Sequence, residues 1–159
     1  DYRWLHWGMS LLAFPVFGST ASNVGRLLTV QGDFTLAQIQ LRLSEVFGER
    51  STLERASQRV VSSMVEWGLL VRSGRKGEFR GVPHTLGATS PLQRWLLEAV
   101  LSAGAAEEGE ATRLLCAPEL FPCHITVSSA DLRSCGRFDV HRQGVDMDIV
   151  ALRSSSTLG

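Results

Sequence analysis

The apolar positions of this chain recur mostly at helical spacing. One stripe lies in residues 36–47 and consists of Leu36, Ile39, Leu43, Val46 and Phe47. A second stripe lies in residues 52–67 and consists of Leu53, Ala56, Val60, Met64 and Trp67. Both are typical of helices with one face against a core. Further helices are expected over residues 3–14, 23–31, 91–104, 111–117 and 130–134, with a turn at residues 17–20 and Ser22 as a cap.

Short segments with alternating polarity predict two β-hairpins. The first joins residues 69–72 to 78–82, and the second joins residues 138–142 to 147–152. Residues 125–127 predict one further strand. We therefore expect a mainly α protein with small β-hairpins, which is an α+β fold class.

The helix over residues 52–67 has well-marked ends. Ser51 followed by Glu54 matches a capping box, in which each side chain bonds the backbone N–H of the other residue. Gly68 is expected to end the helix in a left-handed conformation. Trp67, at the end of the apolar stripe, and Leu70, at the start of the next strand, are expected to be buried.

The polar side of this helix carries residue types that can contact duplex DNA. The candidate contacts are Ser51, Thr52, Arg55, Gln58, Arg59 and Ser62. Arg suits guanine and Gln suits adenine, each through paired hydrogen bonds in the major groove. The alternative is that these residues have no ligand and form the solvated face of an ordinary amphipathic helix.

The first hairpin adds a basic group. Its candidate contacts with phosphates or the minor groove are Arg72, Arg75, Lys76 and Arg80. The alternative is a solvated turn that needs Gly74 and Gly77 for its backbone. Net charge over the chain is zero, but residues 22–82 hold nine basic and six acidic residues, a balance of +3. This asymmetry favours residues 22–82 as the part that faces a polyanion.

Residues 22–82 resemble the winged helix-turn-helix superfamily in their order of helix, helix, turn, helix and glycine-bounded hairpin. In that family the helix at this place enters the major groove and the hairpin touches the DNA backbone. The resemblance therefore implies a double-stranded DNA partner and a role as a transcriptional regulator or as the DNA-contacting subunit of an assembly. Winged helices also serve as protein-interaction modules without DNA, as in accessory subunits of chromosome-organising complexes, so that alternative stays open.

The remainder of the chain repeats this order of elements. Residues 91–153 are expected to form a second, degenerate winged-helix-like domain, giving a tandem winged-helix-like protein. The expected division is an N-terminal apolar helix over residues 1–21, the winged helix over 22–82, a linker over 83–90, the second domain over 91–153 and a tail over 154–159. The carboxylates around Arg142 lead us to expect that the second hairpin stays away from DNA.

The N-terminal helix is rich in aromatic and aliphatic residues. Trp4, Trp7 and Leu12 are expected either to pack on the winged-helix core or to form a homodimer or partner interface. The apolar stretch is shorter than the ~20 residues that a membrane span needs. We expect no membrane contact.

Neither an enzyme nor a metalloprotein is indicated. The three cysteines and the nearby histidines lack the short paired spacing of structural zinc sites. His124 with Ser128 or Ser129 has the residue types of a hydrolase triad, but no nucleophile elbow occurs. We expect no cofactor and no catalytic residue. The odd cysteine count leads us to expect a reducing, cytoplasmic setting.

Overall fold

Seven α-helices and six short strands make up the part of the chain that can be described. The structure, a computed structural model, describes residues 2–83, 87–104 and 106–153. The helices are α1 (Arg3–Ala13), α2 (Pro15–Gln31), α3 (Leu36–Phe47), α4 (Ser51–Glu66), α5 (Ser90–Ala103), α6 (Ala111–Leu115) and α7 (Ser129–Arg133), with a 3₁₀ helix at Pro118–Leu120. The strands are β1 (Asp33–Thr35), β2 (Leu70–Arg72), β3 (Glu78–Gly81), β4 (Glu108–Glu110), β5 (Phe138–Gln143) and β6 (Met147–Leu152). The expected mainly helical fold with small β-hairpins is confirmed.

The two halves of the chain repeat one order of elements. From α2 onward the order is helix, strand, helix, helix, strand, strand, and the same order starts again at α5, apart from the inserted 3₁₀ helix. Each half forms a three-stranded antiparallel sheet, β1-β3-β2 in the first and β4-β6-β5 in the second. The hairpins β2–β3 and β5–β6 follow the sequence prediction closely, whereas β1 and β4 were not predicted.

Helix α2 begins earlier than the sequence pattern indicated. It starts at Pro15, so the turn predicted at residues 17–20 and the cap predicted at Ser22 are wrong. Proline is well suited to the first helical position because its missing N–H needs no partner there. The domain boundary expected between residues 21 and 22 consequently falls inside a continuous helix.

The strand predicted at residues 125–127 is absent from the described structure. The backbone N–H groups of this segment instead bond to the Gln93 side chain. Its Oε1 accepts hydrogen bonds from the N–H groups of Thr126 at 2.8 Å and Val127 at 3.1 Å. Its Nε2 donates to the carbonyl of Ala88 at 2.8 Å. Of the linker expected over residues 83–90, residues 84–86 lie outside the described residues, as does the tail over 154–159. Residue Ser90 already belongs to α5.

One hydrophobic core runs through both halves, and α1 connects them. The Trp7 ring meets Phe17 of α2 at 4.9 Å and Phe121, beside the 3₁₀ helix, at 5.5 Å between ring centroids. Its indole N–H donates to the Glu119 carbonyl at 2.9 Å. Trp4 and Trp7 are 1% and 0% exposed, so both face this core and are unavailable to a partner chain. The interface expectation is therefore wrong for these two side chains, whereas Leu12 is 48% exposed.

Two glycines permit the close packing between the halves. A Cβ atom on Gly8 of α1 would lie 2.2 Å from the ring of Trp95 on α5. A Cβ atom on Gly25 of α2 would lie 1.9 Å from the carbonyl oxygen of Pro118. Both distances are far below van der Waals contact, so α1 and α2 approach the second half through positions that only glycine can occupy.

Candidate nucleic-acid interface

Helix α4 packs on the core through one apolar face, and its opposite, polar face is exposed to solvent. Its buried residues are Leu53, Ser57, Val61 and Met64. The Ser57 hydroxyl donates to the Glu54 carbonyl at 2.8 Å, which satisfies this polar group inside the packed face. Ala56 and Val60, predicted on the core face, are half-buried at its edge.

The outer face of α4 carries the predicted DNA contacts. Arg55, Gln58 and Arg59 are exposed, and Ser62 is half-buried beside them. These four residues, together with Ser63 and Glu66, line a shallow surface depression of about 480 Å³. In the described ranges, neither Arg55 nor Arg59 has a carboxylate oxygen within 4.0 Å. This face thus offers two uncompensated guanidinium groups on either side of an amide.

The start of α4 differs from the predicted capping box. The helix begins at Ser51, and the residue before it, Arg50, is extended and provides no side-chain cap. Glu54 does not reach back to Ser51 as predicted. Ser51, Thr52 and Arg50 are exposed at this end, where first-turn N–H groups carry the positive pole of the helix dipole. Sequence reasoning missed Arg50, although its place directly before the predicted helix start could have indicated it.

The end of α4 connects tightly to the hairpin. Gly68 has a φ of +73°. Its N–H donates to the Val65 carbonyl, and the N–H of Leu69 donates to the Met64 carbonyl, each at 2.9 Å. This is a Schellman motif, and it confirms the prediction for Gly68. Leu70 is 1% exposed as predicted, whereas Trp67 is only half-buried and stacks edge-on against Trp7 at 6.2 Å.

The β2–β3 hairpin is anchored in the core beside its tip, and hydrogen bonds order the tip itself. Phe79 is buried and stacks on Phe34 of β1 with 5.6 Å between ring centroids. At the tip, the Ser73 N–H donates to the Glu78 carbonyl at 2.9 Å, and the Ser73 hydroxyl bonds the Glu78 carboxylate. Gly77 has a φ of +77°, a left-handed conformation that favours glycine.

The four basic residues of this hairpin divide into two pairs. Arg75 and Lys76 are exposed at the tip and have no carboxylate partner in the described part of the chain. Arg80 is 3.9 Å from Asp33 on β1, directly across the strand pair. The Arg72 guanidinium lies over the Phe79 ring at 5.6 Å. The tip pair is therefore available to a ligand, and the other two side chains already have partners within the protein.

Arginines in the second half are mostly paired with carboxylates. Arg113 lies 3.2 Å from Glu110, Arg133 lies 3.2 Å from Asp148, and Arg142 lies 3.8 Å from Asp146. Arg137 pairs with Glu98, whose carboxylate accepts two hydrogen bonds and raises the pKa of the guanidinium. The two halves share an order of elements but differ in how their positive charge is compensated.

The remaining candidate chemistry is dispersed. Over residues 2–83, 87–104 and 106–153, no three His, Cys, Asp or Glu side chains come together as a metal site. Burial raises the pKa of the Cys123 thiol to about 11, so this side chain is protonated at neutral pH. Hydrogen bonds from Ser128, which caps α7, lower the pKa of Asp131, so both groups serve the helix end. Among the described helices, none combines the length and apolarity required to cross a membrane.

Comparison with models of protein families, with characterised proteins and with solved structures gave no match.

Proposed function

We propose that this chain binds double-stranded DNA through its first half, as a regulator or as the DNA-contacting subunit of an assembly in the cytoplasm. Helix α4 would lie in the major groove and the tip of the β2–β3 hairpin would touch the backbone. The observation that carries the proposal is the outer face of α4, where Arg55 and Arg59 are exposed beside Gln58 and have no carboxylate partner among the residues that the structure describes. Arg and Gln are side chains that read guanine and adenine edges.

Charge compensation supports assigning this role to the first half. A carboxylate beside a guanidinium offsets part of its charge and repels an approaching phosphate, whereas an unpaired guanidinium exchanges only water and counterions. Arg75 and Lys76 meet that condition at the first hairpin tip. Arg142, at the second hairpin tip, lies beside Asp146 and does not.

Helix dimensions support the same assignment. At about 1.5 Å per residue, the 16 residues of α4 extend about 24 Å, whereas the five residues of α7 extend about 8 Å. The major groove, about 12 Å wide, admits an α-helix, and of these two helices only α4 is long enough to follow it over several base pairs. We propose a tandem winged-helix protein whose second copy has lost its reading helix.

The beginning of α4 fits the phosphate backbone. Phosphates bind readily at helix N-termini, where unpaired backbone N–H groups point toward the ligand. Ser51 and Thr52 offer hydroxyl groups there, and Arg50 offers a positive charge. These three residues would position the helix, while Arg55, Gln58 and Arg59 would contact base edges.

The test is the affinity of single variants for duplex DNA at fixed salt, measured by fluorescence anisotropy. Arg59→Ala should cost about 1–3 kcal/mol, which is roughly a 5- to 150-fold loss. Arg142→Ala is the matched control, since it removes the same side chain from the second half and should leave affinity nearly unchanged. Equal affinities of the parent and Arg59→Ala would remove Arg59 from the site. A larger loss from Arg142→Ala would show that the working half was assigned wrongly.

A second candidate function is a protein-interaction module without a DNA role. It is favoured by the zero net charge and by exposed apolar side chains on α1, of which Met9 is 61% exposed. The same titration separates the two functions. Since binding driven by phosphate contacts is strongest at low ionic strength, a chain that fails to bind any duplex at about 50 mM salt would support the interaction module.

A further inference from the structure

Helix α1 exposes an apolar stripe on the side away from the chain's own core. The stripe consists of Tyr2, Leu5, Met9 and Leu12, with exposed fractions of 82%, 43%, 61% and 48%. Phe14, directly after the helix, is 62% exposed. The inner side of α1 is fully used within the chain, where Trp4, Trp7, Gly8 and Leu11 are buried.

The spacing of the stripe is that of a helix–helix seam. Its members follow each other by three, four and three residues, the a and d positions of two heptads. The buried residues Trp4, Trp7 and Leu11 follow the same three-four spacing on the inner side, where α1 packs against α5. A helix with such spacing on both sides is suited to lie between two neighbours, and in the described chain only the inner side has one.

The stripe contains no charged side chain, and the opposite side of the helix packs against α5. Gly8 lets α1 pack directly against the Trp95 ring, so the inner side of the helix is in contact with α5. The one charged residue of α1, Arg3, donates from its guanidinium to the Trp67 carbonyl at 3.0 Å. The other exposed residues of the helix, His6 and Ala13, flank the stripe.

We propose that a second copy of this chain covers the stripe, with the two α1 helices antiparallel about a two-fold axis. An uncharged face can meet its own copy without repulsion, and a two-fold axis brings the same patch of both copies together. In the antiparallel arrangement Leu5 of one copy packs against Met9 of the other. This inference stands apart from the proposed DNA binding and does not rest on it.

The exposed area is sufficient for such a pair. A fully exposed large apolar side chain presents on the order of 200 Å². The exposed fractions of the stripe and Phe14 together equal about three such side chains, so these residues expose about 600 Å². Two copies would bury about 1,200 Å², which is the lower end for specific interfaces. We therefore expect a dimer with a micromolar dissociation constant.

Sedimentation equilibrium of the full chain tests the proposal. The parent should show a concentration-dependent monomer–dimer equilibrium, and Met9→Glu should weaken it at least about tenfold, since a buried unpaired carboxylate opposes association. Val145→Glu is the matched control: Val145 is 84% exposed on the second hairpin and should leave the equilibrium unchanged. A parent that stays monomeric throughout the micromolar range, or a dissociation constant that Met9→Glu leaves unchanged, overturns the proposal. Circular dichroism verifies that each variant is folded.

Mixing two variants tests the antiparallel arrangement. At a concentration near the dissociation constant of the parent, Leu5→Lys and Met9→Glu should each be mostly monomeric alone. Their mixture should form a heterodimer, because the new Lys of one copy then meets the new Glu of the other. In a parallel pair these side chains would face Leu5 and Met9 instead, and mixing would restore nothing. Monomers in the mixture would therefore overturn the antiparallel arrangement.

Discussion

Gln93 is the polar side chain on which the packing around α5 depends. It is 3% exposed, and its amide bonds the backbone of Ala88 on one side and of Thr126 and Val127 on the other. The Thr126 hydroxyl lies 3.0 Å from its Nε2. The Gln93 side chain thereby accepts the backbone hydrogen bonds that a neighbouring strand would otherwise accept. For this reason residues 125–127 need no sheet partner.

Gln93→Ala should lower the free energy of unfolding by at least about 2 kcal/mol. The reason is that each buried backbone group left without a partner costs about 1–3 kcal/mol. Urea unfolding measures the effect, and Gln58→Ala, which removes an exposed amide from α4, serves as the control and should stay within about 0.5 kcal/mol of the parent. If both variants have the same free energy of unfolding, Gln93 does not have the role assigned to it.

The candidate site was predictable residue by residue only where exposure follows from helical spacing. Arg55, Gln58 and Arg59 could be placed on the outer face because the apolar stripe fixes the opposite side. The engagement of Arg80 could not be foreseen, since its partner Asp33 lies on β1, a strand without a sequence signal. The interaction of Arg72 with Phe79 likewise depends on strand geometry rather than spacing.

At the scale of elements, the basic side chains of the β2–β3 hairpin serve two purposes. Arg72 and Arg80 have partners within the protein, whereas Arg75 and Lys76 are available to a ligand. Phe79 anchors the hairpin in the core beside its tip, and the bonds between Ser73 and Glu78 order the tip itself. Arg75 and Lys76 are therefore displayed on an ordered turn without being part of what stabilises it. Substitutions at these two positions should report on binding and leave the fold intact.

Replacing Arg75 and Lys76 together with Ala should weaken binding to all duplex sequences alike. Phosphate contacts carry no sequence information, and each lost contact should lower the salt slope of the affinity by about one, or about two for the pair. Titrations between about 50 and 200 mM salt measure this slope. Thermal melting should be unchanged. A slope equal to that of the parent would mean that the hairpin tip does not contact the backbone.

Long elements were predictable and short ones were not. Helix α4 matches its prediction to within one residue because four turns of apolar spacing and Gly68 define it. The three residues of β1 and of β4 have no periodicity of their own and exist through pairing with β3 and β6. The start of α2 was missed because Pro15 can end one helix or begin the next, and only packing decides between them.

At the scale of the whole molecule, the two halves are packed as one body. The division expected at residues 83–90 follows the chain but not the core, because α1 and α2 both pack against the second half. The tightest approach is that of Gly25 to the Pro118 carbonyl, a backbone group that cannot move aside like a flexible side chain. The halves should therefore lose stability together.

Gly25→Ala should destabilise the protein by about 1–3 kcal/mol or more, because the added methyl group forces α2 away from the 3₁₀ helix. Gly18→Ala is the control in the same helix. Its nearest neighbour would be a Leu11 methyl at 3.8 Å, so the substitution should be neutral or stabilising by up to about 1 kcal/mol. One cooperative unfolding transition is expected in both variants. Equal stability of the two would contradict the close approach at Gly25.

The bond from the Trp7 indole to the Glu119 carbonyl spans 112 positions of the chain, and this has a consequence during synthesis. Helix α1 is translated well before its final neighbours, α5 and the residues around the 3₁₀ helix, leave the ribosome. Until then the surfaces of Trp4 and Trp7 have no partner and remain open to chaperones or to other nascent chains. A ribosome stalled before residue 119 should carry a chain that binds hydrophobic dyes and is cut by protease within α1. Release of the full chain should abolish both.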